Sequence, residues 1–416
     1  MIEIPEFLTQ LYADIQEAIE IGSLERMDER WLWLGGTWIV CMLLAFGAVF
    51  VIPKEYGALL DKPMLTFADE GDGTTDATGA PKVESVGEDF DYTKVEPIKH
   101  RPFKPGKYNM TMGLQKCSHN LMFQMEKTYK ERVQLRRETI AQNPHIAVFC
   151  EPGAEVAAPV AEFYDKSMRF LVRRYPMYFS ENVKTGHVIN RIFDNERYPM
   201  SGVYALKHGY KPYDLLRILS RTVEEDFLIM TFDETSEPPM YRLRAGTSCF
   251  PAGFNPKLKC GLTLRDIHGP VPMYQDKLDV SMNKFFRRLE PHNFVQRQNW
   301  GIQRGTTMFA IGEYHVYDQD KVKVYKDGDI DFSEWFLRCE NQILTRLPST
   351  KALAFVIRTY VTPVTEIKEE EGVPESLCAA IDALPEEIYV YKGAQEWAPP
   401  LKRFMTGEID SKGMPL

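Results

Sequence analysis

Residues 336–347 read FLRCENQILTRL and residues 353–364 read LAFVIRTYVTPV. Both runs are rich in β-branched and aromatic side chains, and Pro348 and Ser349 interrupt the stretch between them, so the pattern predicts two strands. Along the first run Arg338, Glu340, Gln342 and Arg346 fall on alternate positions and project from one face of a sheet. Such a row suits either a solvated face or the polar wall of a pocket. Working outward, 226–232 (DFLIMTF), 241–250 and 306–317 carry the same strand composition, and the first two are compatible with a hairpin. Helical spacing marks 119–141, where Leu121, Met125, Tyr129 and Val133 recur every four residues, and 156–174. Further helices are expected after Pro212, over 281–289 and over 373–384, with a last short strand at Glu387–Tyr391. No βαβ rhythm is present. The fold class predicted is α+β, an antiparallel sheet with helices around it.

Between Tyr241 and Trp300 lie the residues with most chemical interest. His268 follows the apolar Ile267 and precedes Gly269-Pro270-Val271-Pro272. The prolines fix φ and stiffen the backbone beyond the ring, as a metal or haem ligand requires. A lone histidine beside a Pro-rich turn is more often structural, and on residues alone both readings stand. Arg297 and Asn299 share one parity and lie next to Trp300. An arginine there can hold a carboxylate or a haem propionate through paired bonds. Cys249 and Cys260 are close enough in sequence to His268 for a Cys–His nucleophile, although cysteine among aromatic strand residues is usually core.

The chain of 416 residues is long enough for one large domain with appendages, and 44% hydrophobic residues suffice for a sizeable core. A net charge of −9 without a basic stripe argues against nucleic acid as a partner. Seven scattered cysteines, with no C-x-x-C, are neither a disulfide framework nor a zinc site. Walker A, G-x-G-x-x-G, G-x-S-x-G and H-E-x-x-H patterns are all missing, which removes support for nucleotide-binding, serine-hydrolase and zincin chemistry.

Before the main domain the composition changes twice. Residues 1–30 have an amphipathic helical pattern. Residues 31–53 contain no charged side chain and three tryptophans near one end, and they read as a single transmembrane helix. Residues 54–104 read as a flexible acidic linker, with eight acids and one lysine between Asp69 and Asp91. The main domain is placed at 105–400 and a tail at 401–416. The localisation expected is a single-pass protein of an intracellular membrane, endoplasmic reticulum or mitochondrial, with the domain facing the cytosol.

Several of these strings occur together and in order. They are Ala245-Gly246-Thr247-Ser248-Cys249-Phe250-Pro251, Ile267-His268-Gly269-Pro270-Val271-Pro272, Arg297-Gln298-Asn299-Trp300, and Arg338-x-Glu340-x-Gln342-x-Leu344-x-Arg346-Leu347-Pro348. Met112-Gly113-Leu114, Arg174-Tyr175-Pro176, Ile357-Arg358-Thr359-Tyr360 and Tyr391-Lys392-Gly393 complete the set. Over roughly 105–395 the chain resembles the haem-dependent oxidative N-demethylase α-subunit family. The resemblance implies a PAS-like fold carrying haem b and NADPH-dependent oxidative demethylation of a small secondary amine. It also implies a separate reductase partner whose flavin and iron–sulfur groups deliver the electrons. His268 falls on the family's Ile-His-x-Pro-Val-Pro position, and since imidazole is the usual haem donor it is expected to be the axial metal ligand. Arg297, Asn299 and Trp300 are expected around the cofactor, and Arg338, Glu340 and Gln342 are the catalytic candidates. Phe254 stands where many relatives have tryptophan, and 120–126 follows the bacterial pattern only loosely. The anchor and acidic linker look like a eukaryotic, fungal branch, for which the substrate is not implied. A ligand-binding PAS-type sensor and a non-catalytic scaffold are the alternatives; amine-dependent reductant consumption separates the first from an enzyme, and a missing Soret band marks the second.

Overall fold

The computed structural model describes residues 82–104, 106–312, 323 and 325–416. In chain order the strands are β1 Gln115–Lys116, β2 Val148–Cys150, β3 Phe179–Asn182, β4 His187–Asn190, β5 Glu196–Pro199, β6 Asp226–Asp233, β7 Met240–Thr247, β8 Ala252–Gly253, β9 Phe294–Arg304, β10 Ala310–Ile311, β11 Trp335–Arg346 and β12 Leu353–Pro363. Seven of them form one sheet in the order β1-β9-β11-β12-β6-β7-β2. Every neighbouring pair in it is antiparallel. The two runs at 336–347 and 353–364 are its central strands, paired from Arg346 opposite Leu353 to Phe336 opposite Pro363.

Register assigns the faces, because directly opposed residues project to the same side. Arg338, Glu340 and Gln342 on β11 oppose Gly301, Asn299 and Arg297 on β9, and Val361, Thr359 and Ile357 on β12. These residues share what we call the first face. The second face carries Cys339, Asn341 and Ile343 with Trp300, Gln298, Arg358 and Tyr360.

The helices used below are α1 Tyr129–Gln142, α2 Ala154–Arg174, α3 Pro212–Ser220, α4 Leu264–His268, α5 Asp279–Arg288, α6 Val373–Asp382, α7 Glu386–Tyr391 and α8 Ala394–Thr406. On the second face, α2 buries Val156, Val160, Phe163, Phe170 and Leu171 in a core shared with Phe227, Ile229, Ile343 and Val356. Each such side chain contributes about 1.5–3 kcal/mol on leaving water. A separate core on that face joins Leu337 and Ile302 to Trp397, Leu401 and Phe404 of α8. On the first face, Leu264 of α4, Tyr274, and Met282 and Phe286 of α5 pack with Val295, Leu344 and Leu353. β11 is therefore covered on both sides, and its polar row is not a solvated face.

Local differences from the sequence reading have physical reasons. The helix expected from 119 begins only at Tyr129, because nearby side chains already take the earlier backbone donors. Gln124 N–H donates to Glu225 Oε1 at 3.2 Å and Met125 N–H to the Tyr175 hydroxyl at 3.2 Å. The strand expected at Glu387–Tyr391 is instead α7, entered from Pro385 and packed beside α8 with Ile388 buried. Of the strand expected over 306–317, only Ala310–Ile311 is extended among the described residues, and 313–317 lies outside them. Part of the stretch assigned to the acidic linker packs on the domain. Tyr92 and Phe103 are buried, and Lys127 N–H donates to the Val95 carbonyl at 2.9 Å.

The membrane expectation requires correction. Among the described residues no helix is long and apolar enough to cross a membrane, and the run at 31–53 lies outside them. The fold class is α+β with a large antiparallel sheet; the transmembrane helix and the single-pass membrane localisation are not supported. The finer PAS-like description rests on the resemblance alone.

Candidate cofactor site

The first face near β9 and β11 holds the polar row. Arg338 is 4% exposed, Glu340 8% and Gln342 8%, so all three are wall rather than surface. Gln342 Nε2 donates to Glu340 Oε2 at 3.0 Å, and Arg338 Nε donates to the other Glu340 oxygen at 3.4 Å. The Arg338 guanidinium also donates to the Phe250 carbonyl and, at 3.4 Å, to Gln303. Three buried polar atoms on this same face find no hydrogen-bond partner among the described residues: Arg297 Nε, Gln342 Oε1 and Thr359 Oγ1. Buried polar atoms are nearly always satisfied, so three orphans on one wall point to a polar ligand or water in front of it.

His268 ends α4, which the Thr263–Asp266 capping box starts and whose Leu264 is in the first-face core. The imidazole Nδ1 lies 2.8 Å from the Leu264 carbonyl, and the ring stacks on Tyr274 at 4.7 Å and 15°. A carbonyl only accepts, so Nδ1 carries the proton and Nε2 carries the lone pair. Burial lowers its pKa below the usual histidine value, with the Leu264 bond opposing and the Arg297 charge adding, which keeps the ring neutral. A neutral imidazole oriented through Nδ1 is the arrangement that a metal ligand needs. Arg297 is itself pushed down by burial, against the opposing charges of Glu340 and Tyr108. Register sets Arg297 opposite Gln342 and Asn299 opposite Glu340, and the Arg297 charge is felt at His268 as the Glu340 charge is at Arg297.

Trp300 does not join them. Its ring is on the second face, edge-on to Phe103 at 5.3 Å and near Trp397 at 6.4 Å. Cys249 and Cys260 are structural as well. Burial pushes the Cys249 thiol up to about 12 and the Cys260 thiol up to about 11, which disfavours any thiolate role. Gly246 in the same string is required by packing, since a Cβ there would lie 2.5 Å from the Phe227 carbonyl oxygen.

Sequence reasoning assigned no role to Thr359, Tyr108 or Lys392, nor to a buried ionic cluster on the second face. There the Arg358 guanidinium donates to Glu225 at 2.7 Å, Glu126 at 2.7 Å and Glu224 at 2.9 Å. Burial pushes the Glu224 carboxyl up to about 7 from 4.5, with Arg358 opposing and Glu225 adding to the rise. Because the folded chain holds that proton more tightly than the unfolded one, its stabilising effect is complete below pH 4.5 and is lost as pH rises through about 7. Glu224→Gln should therefore flatten the fall in stability between pH 5 and 8, read by urea denaturation at both ends. An unchanged slope would show that Glu224 does not hold the proton.

His268, with Nδ1 tied to Leu264, and the polar, partly unsatisfied wall of β9, β11 and β12 are the two components of the candidate site in this α+β protein. Its family is shown directly: residues 113–402 match the model for the haem-dependent oxidative N-demethylase, alpha subunit-like family, and the chain belongs to that family. The family name carries haem dependence and an oxidative N-demethylase-like function.

Proposed function

We propose that this chain is a haem-dependent oxidoreductase that removes an N-methyl group from a small amine, with His268 as the residue that would hold the iron. The observation that carries this is the His268 geometry: Nδ1 is tied to the Leu264 carbonyl at 2.8 Å and Nε2 keeps the lone pair. The residues present fit haem b, since a neutral imidazole is its usual protein donor and the orphaned atoms of the wall are polar. When bound, the haem supplies dioxygen activation and oxidation of the N-methyl carbon. The chain's own residues bind and orient. Glu340 is held by Arg338 and Gln342, and its carboxylate can accept a hydrogen bond from the amine nitrogen. Gln342 Oε1 and Thr359 Oγ1 accept hydrogen bonds from the same side, and Arg297 and Asn299 line the β9 side. The electrons would come from a separate NADPH-linked reductase of the flavin/iron–sulfur kind, as the resemblance implies.

The test is an absorption spectrum of the chain supplied with haem, beside His268→Ala, followed by amine-dependent formaldehyde release. A Soret band that shifts or vanishes in the variant supports an axial His268. A band unchanged by the substitution removes His268 from the iron, and haem without amine turnover moves the reading to a haem-binding sensor.

A further inference from the structure

Among the described residues, two cations at the outer edge of β9, Arg297 and Lys392, have no ion-pair contact with a carboxylate. β1 pairs only with Val295 and Gln296, which leaves the β9 edge beyond Arg297 without a strand neighbour from β1. Lys392, just after α7, fills that place: its ammonium donates to the Trp300 carbonyl at 2.6 Å and lies 5.2 Å from the Trp300 ring centroid. Burial pushes the ammonium down to about 8, with Glu340 opposing and Arg297 adding repulsion. On the other side, Arg297 Nε is buried without a hydrogen-bond partner among the described residues. The carboxylate that acts on both, Glu340, already accepts from Arg338 and Gln342. Among the described residues, Arg338 bonds Glu340 and the same carboxylate is the one that offsets Arg297 and Lys392. Buried positive charge in excess is unfavourable unless an anion joins it.

We propose that Arg297 and Lys392 form a carboxylate-binding pair at the rim of the His268 face, so that the ligand seated there presents one or two carboxylates to the β9 edge. Trp300 then serves from the opposite face, by carrying the lysine. The carboxylates have two possible sources: the propionates of haem, or a carboxylate borne by the amine substrate. The proposal rests on the haem reading only for this identity and not for the pair itself.

The chain and its Arg297→Gln, Lys392→Met and Lys392→Arg variants are titrated with haem and with haem dimethyl ester, followed by absorption. Circular dichroism checks folding, and Lys392→Arg keeps the charge. If the carboxylates are the haem's, Arg297→Gln and Lys392→Met weaken haem by about tenfold or more. The ester is then unaffected, and Lys392→Arg recovers most of the loss. If they are the substrate's, neither porphyrin changes, but the haem-loaded variants lose the spectral response to an N-methylated α-amino acid and keep that to dimethylamine. Equal loss of haem and ester, or no change with any ligand, overturns the pair. Should the parent take up neither porphyrin, the haem reading fails. Calorimetry with succinate then decides: binding to the parent that Arg297→Gln abolishes keeps the pair, and no binding removes it.

Discussion

Arg358→Met is expected to destabilise the chain by about 3–5 kcal/mol, the usual cost of stripping one partner from a buried ion pair. Arg358 donates at 2.7–2.9 Å to carboxylates from three positions, Glu126, Glu224 and Glu225, and all four residues are buried. The cluster also fixes chain path. Arg358 donates to the Gln124 carbonyl at 2.9 Å, and Glu126 accepts from Ile98 N–H at 3.2 Å and from the Tyr360 hydroxyl at 3.2 Å. Methionine fills the space but leaves the carboxylates facing one another in a place of low dielectric. Denaturant titration at pH 7 reads the loss. Adding Glu224→Gln to the variant should return part of it, because without Arg358 the buried Glu224 carboxyl must take up a proton on folding and glutamine need not, and the double-mutant cycle measures that coupling. Haem affinity per folded molecule should hold, since Arg358 lies on the face opposite His268. A loss below about 1 kcal/mol would show that the cluster is hydrated and that the arginine is dispensable.

The sheet centre was legible because β11 and β12 are composed as strands throughout, and period two there put Arg338, Glu340 and Gln342 on one side, as the register has them. What composition could not decide was whether that side is wet. The answer came from elements far away in sequence: α4, Tyr274 and α5 cover the neighbouring part of the same face. β9 escaped notice as a strand because Gln296, Arg297, Gln298 and Asn299 are polar on both parities. Its strand state is imposed by eleven paired positions along β11. α7 was misread for the same reason in reverse, its β-branched and aromatic composition being overridden by Pro385 and by packing on α8. His268 was found as a residue, but its bond to Leu264 depends on a five-residue helix that no periodicity marks. Lys392 and Thr359 stood in strings shared with the family without a signal of role, since what distinguishes them is burial beside charges contributed by other strands.

Asp226→Ala is expected to have the second large effect, and to act on both stability and the site. The Asp226 carboxylate accepts from the fully buried Arg136 guanidinium at 2.5 Å, from Cys249 N–H at 2.7 Å, from Phe250 N–H at 2.9 Å and from Ser248 Oγ at 3.3 Å. Removing it leaves an arginine with 0% exposure and two backbone donors without their acceptor, which costs about 3–5 kcal/mol. The same carboxylate fixes Phe250, whose carbonyl receives the Arg338 guanidinium, which in turn holds Glu340 and through it Gln342. Asp226 is thus a positioning residue for a wall it does not belong to, and the Ala245–Pro251 string is the element through which it acts. Arg136→Met removes the charge pair but keeps Asp226 on the two backbone donors. It should lose comparable stability while leaving amine affinity of the folded fraction intact, whereas Asp226→Ala should weaken amine binding about tenfold at a temperature where both stay folded. Equal amine affinity in the two variants would mean that Arg338 is held by Gln303 and Glu340 without help from Phe250, and that the string serves stability alone.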